Sequence, residues 1–84
     1  MTEMKFVGSY FHTLRDDGTI ERQGIVLDPV GDGYYLVEWF SWFDGSPNGM
    51  SVKSIYEMSQ WQFYRTGDEM REEYYKRNEK ELVR

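Results

Sequence analysis

The sequence predicts a mainly β domain, five short strands curled into a small barrel with one α-helix at the C-terminal end. Three observations predict it. Turn signals fall at Arg15-Asp16-Asp17-Gly18, at Pro29-Val30-Gly31-Asp32-Gly33 and at Asp44-Gly45-Ser46-Pro47-Asn48-Gly49, each between runs rich in β-branched and aromatic residues. Under a period of two, the middle run puts Tyr35, Val37, Trp39 and Ser41 on one side and Tyr34, Leu36, Glu38 and Phe40 on the other. Both faces carry bulk, which suits a closed or half-closed barrel covered on its outside. The tail then changes to helical pairing and supplies the cover.

Taken in order, the strands fall near residues 5 to 14, 20 to 28, 34 to 43, 50 to 55 and 61 to 64, an antiparallel meander. A short helical turn at Tyr56-Glu57-Met58-Ser59 precedes the last strand, Trp61-Gln62-Phe63-Tyr64. Thr66-Gly67-Asp68-Glu69 reads as a capping box, with the Thr66 hydroxyl accepting from the Glu69 amide while Glu69 reaches back. The helix follows over 68 to 81, supported by Glu72 with Lys76 and Glu73 with Arg77, acid before base at i,i+4. Met70 and Tyr74 share one face, with Tyr75 and Leu82 a little round the cylinder. That apolar stripe is thin, so the first two turns dock and the end frays from about Asn78. Residues 1 to 66 are thus expected to form the barrel and 67 to 84 the helix packed on it.

The chain has 84 residues, enough for one domain, with 39% hydrophobic, 18% aromatic and 30% charged side chains. A core this small depends on large side chains, and seven Tyr, five Phe and three Trp supply them. Cysteine is absent, so neither a disulfide nor a thiolate zinc site can form, and a reducing, cytoplasmic setting is expected. The opening residues, MTEMKFVGSY, contain one Lys and no apolar run, which predicts neither a signal peptide nor a transit peptide. No run reaches the length of a membrane-spanning helix.

Net charge is −5, which disfavours general binding to polyanions. Residues 68 to 84 hold six acids and five bases, and the first 67 hold nine acids and five bases. Asp16, Asp17, Asp28, Asp32 and Asp44 lie in or beside the turns, so the rims are expected to be acidic.

The segments GSYFHTL (8 to 14), QGIV (23 to 26), YLVEWFSWFDG (35 to 45) and MSQWQFY (58 to 64) cover most of residues 8 to 64. They resemble a family of uncharacterised small bacterial proteins often found in phage and prophage regions. The five-strand meander with a helical turn before its last strand resembles an SH3-like barrel, the layout shared by the Tudor and KOW groups. The resemblance implies that fold and carries over no activity, cofactor or catalytic residue. In Tudor-like barrels, aromatic side chains at the barrel mouth surround a cation. By that resemblance, Tyr and Trp rings beside Asp16, Asp28 or Asp44 would attract a Lys or Arg group.

His12, the single histidine, lies between Phe11 and Thr13 with no nucleophile motif nearby, and reads as a strand residue rather than a general base. Asp16-Asp17-Gly18 lacks the alternating ligands of a calcium loop, and no second His completes a zinc set. Gly31-Asp32-Gly33 is a tight hairpin without the Lys-Ser/Thr and helix of a phosphate cradle. Neither enzyme activity, metal nor cofactor is expected.

The aromatic side chains outnumber what the inner face of so small a barrel can hide. Trp42 and Phe43, leading into the loop that begins at Asp44, are the rings most expected at the surface, with Tyr10 and Tyr56 as further candidates. Those five residues, Trp42, Phe43, Asp44, Tyr10 and Tyr56, are the predicted contact set of a noncatalytic module that binds a protein or peptide, basic or proline-rich; a monomer is slightly favoured, and an unpaired aromatic patch at Trp42 and Phe43 would instead favour self-association. The alternative is a nucleic-acid-binding barrel, which needs three or more of Lys5, Arg15, Arg22, Lys53 and Arg65 gathered beside exposed rings. DNA mimicry ranks lower because bases interrupt the acids.

Overall fold

The computed structural model describes residues 6 to 82, with side chains through Lys76. Strands β1 (Tyr10–Leu14), β2 (Ile20–Gly31), β3 (Tyr34–Phe40) and β4 (Pro47–Ser54) are followed by the short helix α1 (Ile55–Met58), β5 (Gln62–Tyr64) and helix α2 (Gly67–Leu82). All neighbouring pairs are antiparallel, in the order β4-β3-β2-β1-β5. The fold is therefore mainly β, a five-stranded meander with a C-terminal helix, as expected. The barrel is not closed: β4 and β5 are the two edges, and among the described residues they do not pair with each other. The chain between them is taken up by α1, and β5 is only three residues long, paired with Tyr10, Phe11 and His12.

Local chemistry sets the element ends. Asp32 and Gly33, both at positive φ (54° and 80°), join the paired residues Gly31 and Tyr34 in a two-residue hairpin of the I′ kind, whose twist matches that of the strands. Helix α1 begins with a capping box: the Ser54 hydroxyl accepts from the Glu57 amide at 3.2 Å while the Glu57 carboxylate accepts from the Ser54 amide at 3.4 Å. At α2, the Thr66 hydroxyl accepts from the Glu69 amide at 3.1 Å, as expected. The Glu69 carboxylate, however, takes the amide of Arg65, one residue earlier than the expected partner.

Four strand limits differ from the sequence pattern by three residues or more, among them the end of the second strand, which runs to Gly31 rather than residue 28. The first strand starts at Tyr10 rather than residue 5, because Gly8 (φ 84°) turns the chain and the Ser9 amide donates to the Phe6 carbonyl at 3.0 Å. The third strand stops at Phe40 rather than 43. There the Ser41 hydroxyl accepts from the Phe43 amide at 3.0 Å, and the Gly45 amide returns to the Ser41 carbonyl at 2.9 Å. Side-chain bonds of this kind offer the backbone an alternative to the ladder. The fourth strand starts at Pro47, earlier than the expected residue 50, and carries a register shift opposite Glu38 and Phe40.

The inner face of the sheet is the core, formed by Phe11, Val26, Tyr35, Val37, Trp39 and Met58, with Phe6, Val7, Trp61 and Phe63 packed against it. Phe11 stacks on Trp61 at 4.4 Å and meets Trp39 edge-on at 5.4 Å. Such pairs add about 0.5–1.5 kcal/mol each beyond the area they bury. This packing depends on Gly24, paired with both Phe11 and Trp39: a Cβ there would lie 2.3 Å from the Glu38 carbonyl oxygen and 2.8 Å from the Phe11 ring.

Helix α2 packs over β1 and β5 on the outer face and buries Met70 there. Its described ion pair is Asp68 with Arg71, and Glu72 does not close one with Lys76. The expected Glu73–Arg77 pair and the place of the Leu82 side chain lie outside the described residues, while the backbone is helical through Leu82, beyond Asn78, the expected start of fraying.

Candidate functional site

The candidate site lies where the β3–β4 loop meets α2. Leaving β3, the chain turns at Ser41 and lays the Trp42 indole on Tyr74 of α2, with centroids 4.8 Å apart and planes at 25°. The indole N–H donates to the Glu21 carbonyl at 3.3 Å, tying the ring to β2. Beneath this pair lies His12, fully buried, its ring 6.2 Å from Trp42. His12 Nδ1 and the Tyr64 hydroxyl share a hydrogen bond of 2.8 Å. The histidine is thus part of the floor of an aromatic stack, more deeply buried than the sequence suggested and bonded to a side-chain hydroxyl.

On this fixed platform stands Phe43, 94% exposed, with Tyr75 of α2 also exposed. Together with Trp42, Asp44, Gln23 and Arg71 they line an open groove of about 330 Å³. A large apolar ring facing water on a rigid base is the informative kind of exposure, since scattered single apolar residues are normal.

Asp44 also reaches the groove, but its role is local. Its Oδ1 accepts from the Ser46 hydroxyl at 2.7 Å and from the Ser46 amide at 3.0 Å. The Ser46 hydroxyl, then its amide, hold the carboxyl below its ordinary value of 3.8, so it stays ionised while it shapes the turn. Asp17 does the same at the β1–β2 turn through the Thr19 hydroxyl and amide.

Of the five residues predicted from sequence, Trp42, Phe43 and Asp44 come together and two do not. Tyr10 is half-buried at the start of α2, 3.5 Å from where a Cβ on Gly67 would stand and 6.2 Å from the Phe40 ring. Its face of β1 is the one α2 covers. Tyr56 is exposed on α1, outside the groove. Conversely, Tyr74, Tyr75, Arg71 and Gln23 belong to the groove without having been predicted as contacts. The adjacent tyrosines on a helix already expected to dock were the available signal.

The acids divide between two ends of the sheet. The β1–β2 turn (Asp16, Asp17) and the β3–β4 loop (Asp44) lie at one end of the meander, and Asp28 and Asp32 lie toward the other. Of the four barrel bases among the described residues, Arg22 and Lys53 come together over one ring, that of Trp39, at 3.8 and 6.0 Å. Arg15 donates to Thr19 and to the Ile20 carbonyl at the hairpin, Arg65 lies among Glu69, Glu72, Glu73 and Lys76, and Lys5 is outside the described residues.

Among the described residues no group of three or more His, Asp or Glu side chains is placed to hold a metal ion, and no helix is long and apolar enough to cross a membrane. Comparison with family models, with curated proteins and with solved structures gives no match to this chain.

Proposed function

We propose that the protein is a noncatalytic binding module that takes a protein or peptide segment in the groove between the β3–β4 loop and α2. The observation that carries this is Phe43, almost wholly exposed beside the Trp42–Tyr74 stack. Seating such a ring against a partner gains about 1.5–3 kcal/mol. The platform is already ordered, so little side-chain freedom is lost on binding. The aromatic faces of Trp42, Phe43 and Tyr75, next to the ionised Asp44, favour a Lys or Arg side chain or its methylated form. In fold terms we read the sheet as an opened SH3-like barrel, a reading supported by the order β4-β3-β2-β1-β5 and by the short helix before β5. The lack of cysteine supports a reducing, cytoplasmic setting.

The test is a titration with Lys- and Arg-containing peptides, methylated and unmodified, followed by the indole NMR signals. Binding in the groove moves the Trp42 signal and leaves that of Trp39, and Phe43→Ala weakens it about tenfold without loss of stability. A Trp42 signal unmoved at millimolar peptide overturns the proposal.

A further inference from the structure

A second cluster lies on the opposite face of the sheet and has no lining residue in common with the Phe43 groove. Thr13, Arg22, Trp39, Lys53, Glu57 and Trp61 are among the side chains lining an open groove of about 330 Å³ near the open side of the sheet. Its floor is firm. Trp39 is buried and donates its indole N–H to the Ser51 hydroxyl at 2.9 Å, and Trp61 is held by its stack on Phe11. The Arg22 guanidinium lies over the Trp39 ring, 3.8 Å from its centroid.

The neighbouring charges are otherwise engaged. Glu57 holds Lys53 at 3.6 Å and caps α1 through the Ser54 amide. Glu21 accepts from the Thr13 hydroxyl at 3.5 Å. Arg22 makes neither an ion pair nor a hydrogen bond with any described residue through its guanidinium, so its donors are held in place by a ring and left open to solvent. The backbone is also irregular here: Thr13 pairs with Arg22 and Leu14 with Ile20, leaving Glu21 as an extra residue on β2. Bulges of this kind re-aim side chains beside functional sites.

We infer that this concave-face groove binds a carboxylate, carried by an acidic side chain or chain terminus of a protein segment, with Arg22 as its forked donor, Lys53 as a second cation and Trp61 as an apolar wall. Guanidinium geometry matches a carboxylate with two parallel N–H···O bonds, and a pre-oriented fork loses less freedom in forming them. The charge balance selects among anions. Two cations and two carboxylates leave the groove with no surplus positive charge, so a dianionic phosphate or a run of phosphates would meet Glu21 and Glu57 uncompensated, whereas one carboxylate can rest on the forked donors of Arg22. The site is independent of the Phe43 groove, and either can fail alone.

The full chain is titrated with acetate, with an acidic peptide, with inorganic phosphate and with a single-stranded oligonucleotide at matched ionic strength, and the Trp39 indole signal is followed by NMR. Acetate and the acidic peptide are expected to move it saturably. Arg22→Lys, which keeps the charge and loses the fork, weakens peptide binding about tenfold, and Arg22→Gln abolishes it. Arg15→Gln, a cation removed elsewhere, leaves binding unchanged. Signal dispersion in each variant's spectrum verifies its fold. The inference is overturned by a Trp39 signal unmoved at millimolar peptide, by an equal response in Arg22→Gln, or by phosphate or oligonucleotide binding more tightly than carboxylate.

Discussion

The two halves of the sheet's outer face make the most instructive comparison in this molecule. One row of paired residues runs across it, from Tyr64 through Tyr10, Ile25 and Glu38 to Met50. At the β1–β5 end the row passes under α2, where His12 is fully buried and Met70 closes the contact. At the β3–β4 end no described element covers it, and Met50 and Val52 are 60% and 53% exposed. The covered half carries Tyr10, His12 and Tyr64 and the bare half Glu38, Met50 and Val52. The halves differ also in which one the amphipathic helix reaches, and its stripe of Met70 and Tyr74 is wide enough for one half only.

The same substitution in both halves tests that comparison. Met70→Ala is expected to cost about 2–5 kcal/mol, since it opens a cavity beneath the helix. Met50→Ala on the bare half is expected to stay within about 0.5 kcal/mol. Urea denaturation measures both, and equal effects would mean that α2 does not divide the face. A smaller effect, about 1 kcal/mol, is expected for Thr66→Ala, which removes the N-cap of α2. Hydrogen exchange should then rise in β1 and β5 and stay unchanged in β4.

The smallest effect is the acid limb of the stability curve. Asp17 and Asp44 have folded-state pKa values below the ordinary 3.8, so the stability they contribute is present above that value. It is lost as pH falls through their lowered values. Thermal melts of the Asp17→Asn, Asp44→Asn double variant should show a flatter dependence in that window than the parent. Both carboxyls are at the surface and their largest partners are neutral hydroxyls and amides, so added salt should change little beyond screening the smaller attraction of Arg15 for Asp17.

Much of the architecture is readable residue by residue. Asp32-Gly33 between alternating runs can hardly do anything except turn, and Thr66 before Glu69 starts a helix by short-range bonds alone. The candidate site was legible only in part. Trp42 and Phe43 stand at a strand end, where loop chemistry exposes rings, but Tyr10 has the same character and was claimed by α2. The Ser41 bonds that end β3 early compete with a ladder whose strength depends on the neighbouring strands, so the limit at Phe40 could not be read from the run itself.

Composition, turn residues and period-2 alternation by themselves determined that this chain is a mainly β meander with a capped C-terminal helix, because those features act over a few residues. The tertiary structure alone decided that β4 and β5 stay apart, that α2 covers one half of the outer face, and that Arg22 comes to rest on Trp39. These outcomes depend on competition between surfaces distant in sequence, where a single ring or helix can be buried in only one place.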